Sequence, residues 1–178
     1  RLLAWLAEKT IPDKPGEVQD LSMPVLDERL FTSASVALQQ ARAATEKMAS
    51  RAATNVALAL EQLNKYNDEA ALSISKREEL IDKMEVSITS YLIKLSDREL
   101  TEAENRESTE LLKFISEYER IGDYAMNILQ TAQHLHEQEI TFSPLAHKEL
   151  ALLKSAVLEA LDTTGAALEQ MNTTIAFQ

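Results

Sequence analysis

Two short acidic arrangements are where side-chain type and spacing in this chain could do chemistry. Glu119 and Asp123 lie in the run Glu119-Arg120-Ile121-Gly122-Asp123, and Glu78 and Asp82 in Glu78-Glu79-Leu80-Ile81-Asp82. In a helix, a four-residue separation stacks both carboxylates of a pair on one face. The face of the first pair also carries Leu112, Ile115 and Met126, so it points partly inward. Carboxylates directed at a core are costly unless they are paired, protonated or bound to a cation. Oxygen ligands of this kind suit hard or borderline cations such as Mg, Ca, Mn or Fe. The bland alternative stays open at this point: with 29 acidic residues, chance pairs one turn apart are expected, and each could be solvated or salt-bridged.

Composition narrows the remaining chemistry. The absence of cysteine excludes a disulfide framework and a thiolate metal site. A net charge of -11 argues against nucleic acid or an anionic membrane surface as the main partner and favours cations. A chain of 178 residues suits one domain with a respectable core. Only three glycines and four prolines interrupt an alanine-rich sequence, which is helical in character. No stretch approaches the roughly 18 apolar residues of a membrane span, and the opening RLLAWLAEKT lacks the length and cleavage site of a signal peptide. The first residue is Arg rather than Met, so the chain is read as an excised portion of a longer one.

The elements that must position the acids follow from apolar periodicity. A short helix is expected over 2–9, with Trp5 packing on the bundle or near a membrane interface. Pro12, Pro15, Gly16 and Pro24 make the stretch from Ile11 to Pro24 a linker or strap. Leu26, Leu30 and Phe31 then form an apolar anchor. A first long helix is expected over 33–66, on Ala34, Ala37, Leu38, Ala41, Ala44, Thr45, Met48, Ala52, Val56, Ala59 and Leu63. A second spans about 69–95, capped by Asp68, with Ile74, Ile81, Ile88, Leu92 and Leu95 as its stripe. Thr101 with Glu104 reads as a capping box opening a third helix that reaches about 139. Its stripe is Leu111, Ile115, Tyr118, Gly122, Ala125, Leu129 and Ala132. Ser143 and Pro144 open a fourth helix with Leu145, Leu152, Leu158, Leu161, Leu168 and Met171.

Short connections make these antiparallel neighbours, so the fold class is all-α, an up-down bundle of long helices. The expected divisions are 1–32 as linker and N-terminal anchor, 33–140 as a three-helix bundle, and 141–178 as a fourth helix. Counting back from the turn between the second and third helices brings Glu78 level with Glu119, within about one turn, or about 6 Å. Glu85 lies between Ile81 and Ile88 in projection, whereas Glu79 points sideways into solvent. Gly122 reads either as permitting a tight helix crossing or as clearing space beside the carboxylates, and Gly165 as a similar packing notch. Glu102, Glu104, Glu107 and Glu110 read as a solvated face favouring the helix dipole, and His134, His136 and His147 as surface residues. A ferritin-like di-iron enzyme would want Glu three residues before a histidine, and none of the three has one.

The segment Tyr118-Glu119-Arg120-Ile121-Gly122-Asp123-Tyr124-Ala125-Met126-Asn127-Ile128 resembles the hallmark of the PhoU family. So does Glu78-x-x-x-Asp82-Lys83-Met84-Glu85 with the following Tyr91-Leu92-Ile93-Lys94-Leu95-Ser96. Leu26-Asp27-Glu28-Arg29-Leu30 followed by Ala37-Leu38-x-x-Ala41 looks more specifically like the PhoU-like soluble region of sodium/phosphate cotransporters. The resemblance covers about residues 25–140. It makes the final helix look like the start of a truncated second three-helix repeat.

The resemblance implies a three-helix bundle whose Glu/Asp-x-x-x-Asp motifs hold iron or zinc clusters on the bundle surface. It marks Glu78, Asp82, Glu119 and Asp123 as the metal ligands of a divalent or ferric ion. The implied role is control of phosphate uptake and signalling, with no catalytic or organic-cofactor site. The implied partners are a membrane transporter portion of the same chain and a second copy of the protein in a homodimer, not nucleic acid, at the cytoplasmic face of the cell membrane. One departure stands out: relatives often carry Glu before a Lys/Arg-Met pair in the first helix, where this chain has Ala44 ahead of Lys47-Met48. The competing reading is a metal-free helical interaction or dimerisation module.

Overall fold

The computed structural model describes the backbone of residues 22–176 and the side chains of 22–166. The helix expected over 2–9, Trp5, most of the strap, and the side chains of Leu168 and Met171 lie outside the described residues. A 3₁₀ turn, Glu28–Thr32, precedes four helices: α1 (Ala34–Gln62), α2 (Asp68–Ser96), α3 (Glu102–Glu137) and α4 (Pro144–Ala176). Strands are absent among the described residues, as the all-α expectation requires. None of the described helices is long and apolar enough to cross a membrane.

The apolar stripes predict the packing of the first three helices closely. Ala37, Ala41, Ala44, Ala52 and Ala59 bury the small-residue face of α1 and let its neighbours approach. Against it lie Ile74, Ile81, Met84, Ile88, Leu92 and Leu95 of α2, all with no exposed surface. Leu111, Ile115, Tyr118, Ala125 and Leu129 close the third side from α3. Burying a side chain of this size contributes about 1.5–3 kcal/mol, so the three stripes outweigh any local propensity.

The ends are set by side chains. Asn67, not Asp68, caps α2: its side chain accepts from the Ala70 N–H at 2.8 Å. Gln62 closes α1 four residues earlier than expected, because its side chain accepts from the Asn67 N–H across the turn at 2.9 Å. Thr101 and Glu104 form the full capping box at the start of α3. That helix ends at Glu137, where the Ile140 N–H reaches back to the Leu135 carbonyl and Glu139 turns left-handed at φ 52°. Ser143 caps α4, its hydroxyl accepting from the Ala146 N–H at 3.2 Å.

The anchor ahead of α1 is real. Leu26, Leu30 and Phe31 pack on the core, and Tyr91 of α2 donates its hydroxyl to the Asp27 carbonyl at 3.2 Å. Phe31 lies with its ring centroid 4.8 Å from that of Tyr91.

Three expectations fail. Leu145 and Leu152 of α4 are 66% and 75% exposed; Val157 and Leu161 are the residues that meet the core, with Lys154 ion-paired to Glu61. Leu161 was in the expected stripe; the first half of that stripe was misplaced because α4 leans mainly on α1, so one narrow contact sets its rotation. Gly165 is not a notch, since a Cβ there would meet nothing within 4 Å. Glu107 is not solvated: it accepts from Arg42 of α1, whose own side chain is 4% exposed. A buried arginine needs a carboxylate at its level, and Glu107 is in reach.

Candidate metal centre

The α2–α3 hairpin decides where the acids stand. Gly122 is fully packed against α2, and a Cβ on it would come 3.3 Å from Ile81 Cγ2. Glycine there costs about 1 kcal/mol of helix propensity and permits this close crossing. It also fixes the height of one helix against the other. With Ile81 opposite Gly122, the acids on either side interleave crosswise: Asp82 acts on Glu119, and Asp123 acts on Glu78 more strongly than Glu119 does. The expected level pairing of Glu78 with Glu119 is thus displaced by about one turn.

All four predicted ligands belong to one electrostatic cluster. Glu78 and Glu119 are partly buried at the hairpin edge, and Asp82 and Asp123 are exposed. Burial first, then a hydrogen bond to Asp82 and repulsion from Asp82, Asp123 and Glu119, pushes the Glu78 carboxyl up to about 7. Glu119 is raised too, by burial and then by Asp123, Asp82 and Glu85, with Arg120 offsetting only weakly. Glu85 is therefore the fifth member of the edge. Its signal was in the sequence, as an acid projecting into the apolar stripe between Ile81 and Ile88.

Nearby cations are committed elsewhere. Lys83 faces Glu79 at 3.9 Å, and Arg120 bridges to Glu117 at 3.3 Å. Among the described residues, none of Glu78, Asp82, Glu119 and Asp123 forms an ion pair with lysine or arginine. The salt-bridged reading of these acids fails on that point. Burial and a hydrogen bond to Asp82 favour the protonated form of Glu78, which lessens their repulsion. As the side chains stand, no group of three or more His, Asp or Glu among the described residues is gathered closely enough to hold a metal ion.

The other helices add little to this edge. The carboxylates acting on Glu78 and Glu119 come from α2 and α3 alone. Glu46, not Ala44, stands directly before Lys47-Met48, so the departure expected there does not hold; the Glu46 carboxylate sits near the buried Tyr118 hydroxyl and helps to raise the pKa of that group after burial. His134, His136 and His147 are exposed, and His136 stacks on Tyr66 with centroids 4.8 Å apart.

A family model, that of the PhoU domain, matches residues 45–132. The matched span runs from within α1 to within α3 and contains all five edge acids. A PhoU domain is present here. No curated protein and no solved structure matches the chain. PhoU domains are regulatory modules without catalysis of their own. The PhoU span leaves α4 outside it.

Proposed function

We propose that the chain is a regulatory and scaffold module of sodium-coupled phosphate transport, acting at the cytoplasmic face of the membrane beside a transporter portion of its own chain. In this reading the α2–α3 edge takes up a divalent or ferric cation, iron or zinc by family resemblance. One observation carries the metal assignment: five carboxylates cluster on the hairpin edge, and its four predicted ligands have no lysine or arginine partner among the described residues. A cation is the counter-charge that this arrangement lacks.

Glu78, Asp82, Glu119 and Asp123 would hold the ion, with Glu85 beside them. The donor set fits: all oxygen, drawn from two helices whose relative height is fixed at Ile81 and Gly122. The side chains would have to rotate inward, because no three of them converge as they stand. A bound cation would displace the proton from Glu78 and clamp α2 to α3 along the edge. Changed occupancy would then alter the surface offered to the transporter portion.

The test is elemental analysis of the purified chain, followed by calorimetric titration with Mn²⁺, Zn²⁺ and Fe²⁺. The parent is expected to bind with release of protons. Asp82→Asn combined with Asp123→Asn is expected to lose binding while keeping its helical content. Equal binding by parent and double variant would sink the assignment. The transporter association is tested in the coding sequence upstream of Arg1, where several apolar segments of roughly 20 residues are expected.

Protonation of Glu78 favours a second reading, a metal-free helical interaction module. It already relieves the repulsion at the edge without a metal. This reading predicts that a chelated chain keeps its stability and oligomeric state. The same titration separates the two.

A further inference from the structure

The chain enters the bundle along the groove between α1 and α2. Ser22 to Asp27 have no regular secondary structure, and the 3₁₀ turn follows. Side chains of the two helices hold the backbone of this segment. Arg51 donates to the Ser22 carbonyl at 2.9 Å, the Asp27 N–H donates to Gln40 Oε1 at 2.8 Å, and the Tyr91 hydroxyl donates to the Asp27 carbonyl. Gln40 and Arg51 stand about 16 Å apart along α1, which is about the span of Ser22 to Asp27 at full extension. The segment therefore runs back along α1 as an extended strip. Leu26, Leu30 and Phe31 pack on the core beneath it, and Glu28 pairs with Lys94 at 2.5 Å. Among the described residues, no backbone–backbone hydrogen bond ties residues 22–32 to α1 or α2.

Ser33 is the hinge of this segment, and it is weakly set. It alone separates the 3₁₀ turn from α1, in an extended conformation with φ -136° and ψ 99°, and its side chain makes no capping hydrogen bond. A serine in this position ordinarily supplies one, worth about 1 kcal/mol. At the far end of the turn Asp27 is already a cap, accepting from the Arg29 N–H at 3.0 Å. Glu28 follows it, where a helix N-terminus favours an acid. Moving Ser33 alone into helical geometry would join the turn to α1 and swing residues 22–27 out of their groove. The turn keeps nearly the same shape in either state, and so presents the same side chains.

We propose that two copies of the chain exchange this segment, residues 22–32 of each filling the α1–α2 groove of the other. The groove grips main-chain groups and a short apolar run that a second copy carries by identity. Exchange leaves both grooves filled by the same residues, so it costs one hinge and the entropy of association. A hinge of one residue favours it further. The groove is separate from the acidic edge, and the exchange does not depend on a metal.

Charge reversal in the full chain tests this. Glu28→Lys and Lys94→Glu each set like charges against one another within a single molecule. Both side chains are more than half exposed, so neither change disturbs the core. In an exchanged pair made of the two variants, opposite charges meet at both junctions. Sedimentation equilibrium is expected to show a dimer of the parent that grows with concentration. The mixed variants should associate about tenfold more tightly than either variant alone. Ser33→Ala, which favours helix at the hinge, should tighten dimerisation of the otherwise unchanged chain severalfold, and Ser33→Asp should loosen it. A parent that is monomeric at every concentration, or a mixture that associates no better than its separate components, would overturn the exchange. So would a dimer equally tight in Ser33→Ala and Ser33→Asp, because its contact would then lie on another face.

Discussion

The two flanks of α2 behave as if they belonged to different proteins. On one flank, Ile74, Ile81, Met84, Ile88, Leu92 and Leu95 are fully buried. On the other, Glu78, Asp82 and Glu85 face the edge of α3, partly or wholly in water. The seam resists change because every methyl group has neighbours. The edge is held in an electrostatically unfavourable arrangement, which raises the Glu78 pKa. Their connection is mechanical: Ile81 against Gly122 sets the height at which the acids of α2 meet those of α3. The seam is where stability resides, and the edge is where like charges give some of it up.

If that division is right, the largest loss should come from the seam. Ile81→Ala removes a side chain with no exposed surface and leaves a cavity at the crossing. Destabilisation of about 2–5 kcal/mol is expected, measured by urea unfolding. The variant should also weaken cation binding, since the acids lose their common level. Gly122→Ala is the subtler probe of the same contact. Alanine regains up to about 1 kcal/mol of helix propensity but puts a methyl 3.3 Å from Ile81 Cγ2. That carbon belongs to a β-branched side chain with little rotamer freedom, in a fully packed position. A net loss of about 1 kcal/mol is expected. A net gain would show that the crossing has slack and that the seam does not fix the edge.

Legibility in the sequence followed the same division. Residues that repeat at helical spacing in α1, α2 and α3 read correctly as core because three helices enclose a shared axis. In α4 the same logic misplaced Leu145 and Leu152, since a helix resting on one partner can rotate while keeping its period. The four edge acids were found from spacing, and Glu85 from its projection onto the stripe. Spacing could not give their crosswise order, which depends on the Ile81–Gly122 contact. Nor could it give the Arg42–Glu107 pair, because side chains 65 positions apart meet only through tertiary packing.

Removing charge from the edge should move stability in the opposite direction to a change in the seam. With a chelator present, Asp82→Asn together with Asp123→Asn eliminates two of the repelling carboxylates. Both are exposed, so the unfolding free energy should hold or rise by less than about 1 kcal/mol. Thermal unfolding in low and high salt measures it, the difference shrinking as salt screens the parent's repulsion. A loss as large as that of Ile81→Ala would erase the distinction between the flanks.

The smallest effect, and the most specific to the edge, is pH dependence. Glu78 takes up its proton near pH 7 in the folded chain, against an ordinary value of 4.5. Between those values the folded state holds a proton that the unfolded state has released. Stability from this group is therefore fully present below about pH 4.5, declines as the pH rises toward 7, and is lost above that. Glu78 is open to solvent on its outer side, so the contribution is below about 1 kcal/mol once screening is discounted. Urea midpoints at pH 5 and pH 8 in chelator should fall further for the parent than for Glu78→Gln, which carries no titrating proton. Parallel declines in the two proteins would place the titration elsewhere and remove the proton from the edge. A divalent cation should reverse the sign of the slope, because it binds the deprotonated edge and stabilises the fold more as the pH rises.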